Sequence, residues 1–317
     1  MVGIDDIRAA ADRIAGTIRE TPVRPSPSLT RIAGVPVWLK CEQEQHTGAF
    51  KLRGAANAIA CLPDGIAGVT TASTGNHGRA LAHAAAARGL RAVICMSRLV
   101  PENKLAAIRD LGAEARITGA SQDEAFLEAR RLEGEGFALI PPFDHAAVIA
   151  GQGTLGLEIM AQIADAAVLA IPLSGGGLLA GVALAAKAIN PRVRIVGISM
   201  ERGAAMAASL DAGQPVEVEE LPTLADSLGG GIGVPNRMTF ALCRDLIDQV
   251  ILLDEDEIAA GLRHLWHEDG QIVEGAAAVG AGAILSGKLR ADGPIVLILS
   301  GRNIDPARHA EIVGKAP

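Results

Sequence analysis

Short β-rich apolar runs alternate with longer Ala/Leu-rich stretches along this chain, and that alternation restricts it to a few architectures. GVTTAS (68–73) precedes HGRALAHAAAARG (77–89), RAVICMS (91–97) precedes PENKLAAIRDLG (101–112), and AVLAIPLS (167–174) precedes GLLAGVALAAKAI (177–189). A run too short for a helix, followed by one long enough for three turns, is the pattern of a parallel sheet covered by helices, an α/β fold. RVRIVGISM (192–200) and PIVLILSG (294–301) are continuous apolar strands suited to burial on both faces. No heptad, fixed-period repeat or low-complexity linker interrupts the pattern.

At 317 residues the chain is long enough for two lobes. Where the βα units begin and the loops fall places a smaller lobe at 68–145, with 1–67 and 146–317 forming the larger one. The abundant Ala and Gly fit close packing of helices on sheets. Cys41, Cys61, Cys95 and Cys243 are far apart, with neither zinc-cluster nor disulfide-framework spacing. That usage suits a reducing cytoplasm, and the acidic, helix-like N-terminus does not read as a signal peptide. No apolar run reaches membrane-spanning length. A net charge of -7 and 2% aromatic residues disfavour nucleic acid as a partner, leaving small molecules.

Four segments carry chemistry. In TGAFKLRGAANAIA (47–60), Lys51 opens an Ala-rich helix among apolar neighbours. Desolvation and the positive end of the helix dipole both favour the neutral amine that Schiff-base chemistry needs, although most lone lysines are surface residues. In ASTGNHGRALA (72–82), Ser73, Thr74, Gly75, Asn76 and His77 form a polar turn between strand and helix. Hydroxyls and N–H groups at such a helix start suit a carboxylate or phenolic oxygen, and equally suit ordinary capping. In LSGGGLLAG (173–181), glycines between a strand and a helix form a candidate phosphate cup. Gly175, Gly177 and Ala180 also fit a loose dinucleotide fingerprint, with Glu201 after the next strand as a ribose-binding acid, so a nicotinamide oxidoreductase is the rival of another class. In VLILSGRNID (296–305), Ser300 lies just past a buried strand, where open α/β sheets bind ligands.

Other candidates are weaker. His264 and His267 stand three apart on a probable helix but lack an evident third ligand, so no metal site is expected and a solvated face is the simpler reading. His77 and His83 suit polar packing rather than base catalysis. Glu274, a lone acid beside a Gly/Ala run, is a candidate neighbour of a cofactor.

Taken together and in this order, the four segments resemble the serine/threonine dehydratase group of pyridoxal-phosphate enzymes. CMSRLVPENKLAAIRDLGAE (95–114) and VIAGQGTLGLEI (148–159) extend the likeness almost end to end. Within the group, ICMSRLVPENK, PPFDHAAVIAGQGT, TLADSLGGGIG and ILSGRNID are most similar to the hydroxyectoine-utilisation dehydratases.

The resemblance implies the two-lobed fold type II, like the tryptophan synthase β-subunit, pyridoxal 5'-phosphate as cofactor, and a homodimer. It makes Lys51 the Schiff-base lysine and sets Phe50 against the cofactor ring. Asn76 would meet the ring's phenolic oxygen, Ser174, Gly175, Gly176, Gly177 and Leu178 the phosphate, and Ser300 the pyridine nitrogen. Ser73, Thr74, Gly75, Asn76 and His77 would clamp the substrate carboxylate, with Thr74 as the second acid/base group. The activity implied is ammonia-lyase-type removal of the β-hydroxyl from a small 2-amino-3-hydroxy acid.

Several residues depart from the group's pattern. Thr74 stands where racemising relatives have serine, Ala49 replaces a serine, and GISMERGAAM (197–206) lacks the acids that hold a divalent cation in some relatives. Arg302 replaces a small residue and suits either a larger, more anionic substrate or a surface ion pair.

Overall fold

The structure, a computed structural model, describes residues 2–73, 75–100 and 102–314. The chain begins with α1 (Ile4–Ile14), β1 (Val23–Pro25), α2 (Pro27–Ala33), β2 (Val37–Lys40), a 3-10 turn at Glu42–Glu44 and α3 (Lys51–Ala60). There follow β3 (Gly68–Ala72), α4 (Asn76–Ala87), β4 (Ala92–Met96), α5 (Glu102–Arg109), β5 (Glu114–Ile117), α6 (Gln122–Glu133) and β6 (Phe137–Leu139). Next come α7 (Ala146–Gln162), β7 (Val168–Pro172), α8 (Gly177–Ile189), β8 (Arg194–Met200), α9 (Ala205–Ala212) and α10 (Thr239–Leu246). The chain closes with β9 (Gln249–Leu253), α11 (Glu255–His267), α12 (Gly275–Leu285), β10 (Ile295–Ile298) and α13 (Pro306–Val313).

Among the described residues the strands form two sheets. One is six-stranded in the order β1-β2-β10-β7-β8-β9, the other four-stranded in the order β5-β4-β3-β6. All pairings are parallel except β1 with β2. Every residue of β7 and β10 is buried, as helices on both faces require.

The alternation in the sequence is thus realised as βα units. The short edge strands β1, β5, β6 and β9 are less legible locally, because their periodicity is brief and their burial comes from partners distant in sequence. The glycines allow helices to meet almost backbone to backbone. A Cβ on Gly181 of α8 would fall 2.4 Å from the Ile149 carbonyl of α7, and one on Gly156 would fall 2.7 Å from the Val182 carbonyl. Any larger residue would force α7 and α8 apart.

β10 sits centrally, with β2 on one side and β7 on the other. From β7 the order runs outward to β8 and β9, so chain direction across the sheet reverses at the β10–β7 pair. The crevice beyond the carboxyl ends at such a reversal is where open α/β sheets hold ligands. Lys51, Ser300 and the glycine run follow β2, β10 and β7, three neighbouring strands.

Candidate active site

Lys51 is held in place by its neighbours on both sides. The Phe50 N–H donates to the Ser300 carbonyl at 3.0 Å, and Ala49 bridges Gly301, so the residues before the lysine lie against the exit of β10. On the other side, Arg53 is fully buried and doubly bridges two acids. Its Nε and Nη2 donate to Glu42 at 2.8 Å each, and its Nη1 and Nη2 donate to Glu158 at 2.6 and 2.8 Å. Lys40, also buried, donates to the same Glu158 at 2.7 Å. α3 has no side-chain cap, so this bidentate clamp fixes the helix start that carries Lys51.

The Lys51 amine donates to the Pro142 carbonyl at 2.8 Å and lies 5.2 Å from the centre of the Phe50 ring. Burial pushes it down to about 8, against a smaller upward pull from Glu274. Phe50 also packs against the apolar cluster beneath β7 and β10.

Facing Lys51 is the N-terminus of α4, where Gly75 is the N-cap and Asn76 the first helical residue. Asn76 Nδ2 donates to Glu274 Oε1 at 2.7 Å, and its Oδ1 accepts from Asn303 Nδ2 at 2.6 Å. Asn303 also donates its backbone N–H to Glu274 Oε2 at 3.1 Å and its amide to the Thr47 carbonyl at 2.9 Å. Arg79 closes the network by donating to Asn303 Oδ1 at 3.0 Å. Burial raises Glu274 to about 7, aided by the nearby Asp226 and opposed by its hydrogen bonds.

His77 is buried, and its Nε2 pairs with the Ile140 carbonyl at 2.9 Å, which requires the proton on Nε2. Burial, with the charge of Lys51 second, lowers it to about 3, so the ring is neutral at physiological pH. Its Nδ1 is then a bare acceptor without a partner among the described residues. A bare lone pair repels a carboxylate, so toward one His77 presents only its backbone N–H as a donor. Ser73 and Gly75 flank the turn, half-buried, while Thr74 lies outside the described residues.

The glycine run follows β7. Gly176 adopts φ +85°, and a Cβ there would meet Cys243 Sγ at 2.7 Å, so only glycine serves. Among the described residues the N–H groups of Gly175, Gly176, Gly177 and Leu178 make no hydrogen bond. Four free backbone donors at the start of α8 suit a phosphate. Over them lies Phe143, whose ring would be 2.4 Å from a Cβ on Gly175. The next residue, Asp144, accepts from the N–H groups of Arg237, Met238 and Thr239 at 2.7, 2.8 and 2.9 Å, capping α10. Ser300 is buried beside Phe50, and its hydroxyl makes no hydrogen bond among the described residues.

Lys51, Phe50, Asn76, His77 and Ser300, together with the Ser174–Leu178 run, thus border one crevice. The depressed amine, the free donors and the free hydroxyl fit pyridoxal phosphate. Sequence reasoning undervalued Glu274 and missed Asn303, Arg79, Phe143 and Asp144. Asn303 stands three residues past Ser300 and was within reach of the motif, but Phe143 carries no local signal. The other candidates lie elsewhere. Glu201 is exposed, 3.7 Å from Lys288. The half-buried His264 pairs with Ser28 Oγ and the exposed His267 with the Val313 carbonyl, each at 2.8 Å. The Arg302 side chain is exposed, while its N–H donates to the Gly48 carbonyl. No helix among the described residues is long and apolar enough to cross a membrane.

Comparison with known proteins agrees with this geometry. Residues 14–301 match the family model described as pyridoxal-phosphate dependent enzyme. A putative threonine dehydratase of Sinorhizobium fredii is 55% identical, over 98% of this chain and 95% of its own. The L-threonine ammonia-lyase of Thermotoga maritima is 38% identical, over 99% of this chain and 79% of its own. Maize serine racemase superposes with a TM-score of 0.93 at 35% identity, covering 98% of this chain and 96% of its own. The nicotinamide reading gives way to these matches, and the chain belongs to the pyridoxal-phosphate-dependent enzymes, among the relatives of threonine dehydratase and serine racemase.

Proposed function

We propose that this enzyme eliminates the β-hydroxyl of a small 2-amino-3-hydroxy acid, with Lys51 as both the cofactor's attachment point and the base. The observation that carries this reading is the buried, depressed amine of Lys51 beside an unpaired run of backbone donors. Bound pyridoxal phosphate supplies an electron sink for the pair left at the substrate α-carbon. Lys51 Nζ, neutral and within the crevice, takes the α-proton, a transfer that proximity makes effectively unimolecular. The β-carbon–oxygen bond then breaks, and the hydroxyl leaves as water by taking back the proton that Lys51 Nζ had accepted. The released enamine becomes an imine, and one water hydrolyses it to a keto acid and ammonia.

Gly175, Gly176, Gly177 and Leu178 bind the phosphate through N–H groups, alongside Ser174. Asn76, held by Glu274, would meet the phenolic oxygen, and the Phe50 side chain would border the ring. The neutral Ser300 hydroxyl would donate to the ring nitrogen without protonating it, a setting in which the cofactor would hold the α-carbon electrons less deeply and favour prompt elimination. Ser73, Gly75, Asn76 and His77 offer backbone donors to the substrate carboxylate. Residues 68–145, which contain the whole four-stranded sheet, form the smaller lobe in this reading.

The substrate must carry a free primary α-amine. The likeness of four segments to hydroxyectoine-utilisation dehydratases points to a ring-opened hydroxy-diaminobutyrate derivative, acetylated at its far nitrogen, since the intact cyclic amidine has no such amine. The test is to supply the purified holoenzyme with L-threonine, L-serine, 3-hydroxyaspartate and the ring-opened compound in turn, measuring ammonia and keto acid. Release from the ring-opened compound supports the narrow reading. Release from L-threonine or L-serine alone leaves the lyase and removes the narrow substrate, and no ammonia from any of them overturns the elimination.

A further inference from the structure

Arg79 carries a charge that no anion in the fold pairs with. It lies on α4 one turn after Asn76, on the same face, where a helical side chain leans back toward the helix start. It is half-buried, and its Nη1 donates to Asn303 Oδ1 at 3.0 Å, a neutral partner. Its Nε and Nη2 make no hydrogen bond among the described residues, and no carboxylate oxygen there comes within 4.0 Å of its guanidinium. Burial pushes its pKa down and the charge of Glu274 pulls it up, yet both oxygens of Glu274 are taken by Asn76 and Asn303. A guanidinium keeps its charge in such a setting, and only one of its five N–H groups is used here. Arg302, the residue before Asn303, is a second guanidinium at this rim, with its Cγ 3.4 Å from where a Cβ on Gly48 would stand. It is exposed and has no carboxylate partner among the described residues, so the surface ion pair does not account for it.

We propose that Arg79 sets substrate choice by donating to an oxygen at the far end of the substrate side chain, a carboxylate or an acyl carbonyl, with Arg302 adding positive potential from the solvent side. This rests on the reading that the N–H groups at the start of α4 receive the substrate's α-carboxylate. One helical turn, about 5.4 Å, then separates those donors from Arg79, about the span from the α-carboxylate of a four-carbon amino acid to its far group. A far oxygen gives the half-buried guanidinium the acceptor it lacks, through charge-assisted hydrogen bonds. A far methyl leaves those donors unpaired, and a site built to hydrogen-bond a group discriminates against analogues without it. A far ammonium meets two guanidiniums and no free acid. For the ring-opened diamine named above, acceptance therefore requires that the far nitrogen be acylated.

Ligands without a β-hydroxyl cannot undergo the elimination, so their binding to the holoenzyme tests this contact separately from the reaction. The probes are 2-aminobutyrate, aspartate, 2,4-diaminobutyrate and its N4-acetyl derivative, each as both enantiomers, titrated by calorimetry. Aspartate or the acetyl derivative should bind about 10–100-fold more tightly than 2-aminobutyrate, the tighter of the two naming the far group, and the free diamine should bind more weakly than 2-aminobutyrate. Arg79→Met should reduce the preference to within about 3-fold, with cofactor absorbance and circular dichroism confirming a loaded, folded protein. Arg79→Lys keeps the charge and should retain part of the preference, and it serves as the test if the Met variant does not load. Arg302→Gln should reduce the preference by less than Arg79→Met.

Equal binding of the four probes, a diamine bound as tightly as its acetyl derivative, or a preference that survives Arg79→Met overturns the contact. An equal loss for every probe in Arg79→Met also overturns it, because Arg79 then only supports Asn303. A larger loss in Arg302→Gln than in Arg79→Met removes the role from Arg79. Failure of the elimination itself shows in the ammonia assay and leaves these affinities unaffected.

Discussion

Asn76 donates to Glu274 at 2.7 Å across 198 residues of chain, joining the first residue of α4 to the N-cap of α12. The acid accepts from Asn303 on its second oxygen, so one buried carboxyl orients the amide that borders the crevice. Burial raises Glu274 and lowers Lys51, and both titrations fall near neutrality.

The raised carboxyl makes stability depend on pH. Glu274 is displaced from its usual 4.5 to about 7. The folded chain therefore binds the extra proton between those values, and the associated stability is complete below 4.5 and lost as pH rises through about 7. The displacement corresponds to about 3 kcal/mol. Glu274→Gln abolishes this dependence, at a fixed cost of about 1–3 kcal/mol because the Asn303 N–H loses its acceptor. Denaturant melts of the apoenzyme at pH 4.5 and 7.5 should show the variant gaining on wild type at the higher pH. A constant difference would mean that Glu274 titrates normally.

Lys51 shifts in the opposite direction. Its folded value of about 8 lies below the usual 10.5, so the unfolded chain binds more protons between the two and this group's contribution to stability rises with pH over that window. The neutral fraction also governs attachment of added pyridoxal phosphate to the apoenzyme. The attachment rate should climb to a half-maximum near pH 8 and level off above it, whereas a half-maximum near 10 would indicate a solvated amine. Lys51→Ala should lower kcat by about 10²–10⁴-fold.

Gly175→Ala places a methyl group 2.4 Å from the Phe143 ring. The overpacking should cost about 1–3 kcal/mol and weaken cofactor binding as the loop shifts. Combining it with Phe143→Ala should restore part of both losses, to be measured by a double-mutant cycle on melting and on cofactor Kd. Strict additivity would show that the two residues do not meet.

Arg53→Met leaves Glu42 buried without its cation and Glu158 half-paired. Thermal or denaturant unfolding should reveal a loss of about 3–5 kcal/mol. Arg53→Lys should lose less, since it keeps the charge but cannot bridge both acids in bidentate fashion. A variant as stable as wild type would mean that the acids simply protonate.

Several features of the site were legible because each sits where a motif meets an element boundary. Lys51 opens α3, Asn76 opens α4, the glycines lead into α8 and Ser300 lies just past β10, and each boundary is written in local residues. The likeness of the segments to known relatives supplied their roles. The reading of His264 and His267 as a solvated face holds for the exposed His267 and misses the half-buried His264, which Ser28 approaches from α2, far away in the sequence.

The sequence by itself determined the alternation of strands and helices and the order of the four chemical segments, since periodicity and turn residues act over a few neighbours. Only the tertiary structure decided that Glu274 and Asn303 hold Asn76, that Phe143 covers the glycine run, and that His77 is left with a bare acceptor. Those outcomes depend on burial and on partners tens to hundreds of residues away, and desolvation has no value until the chain has closed around the group.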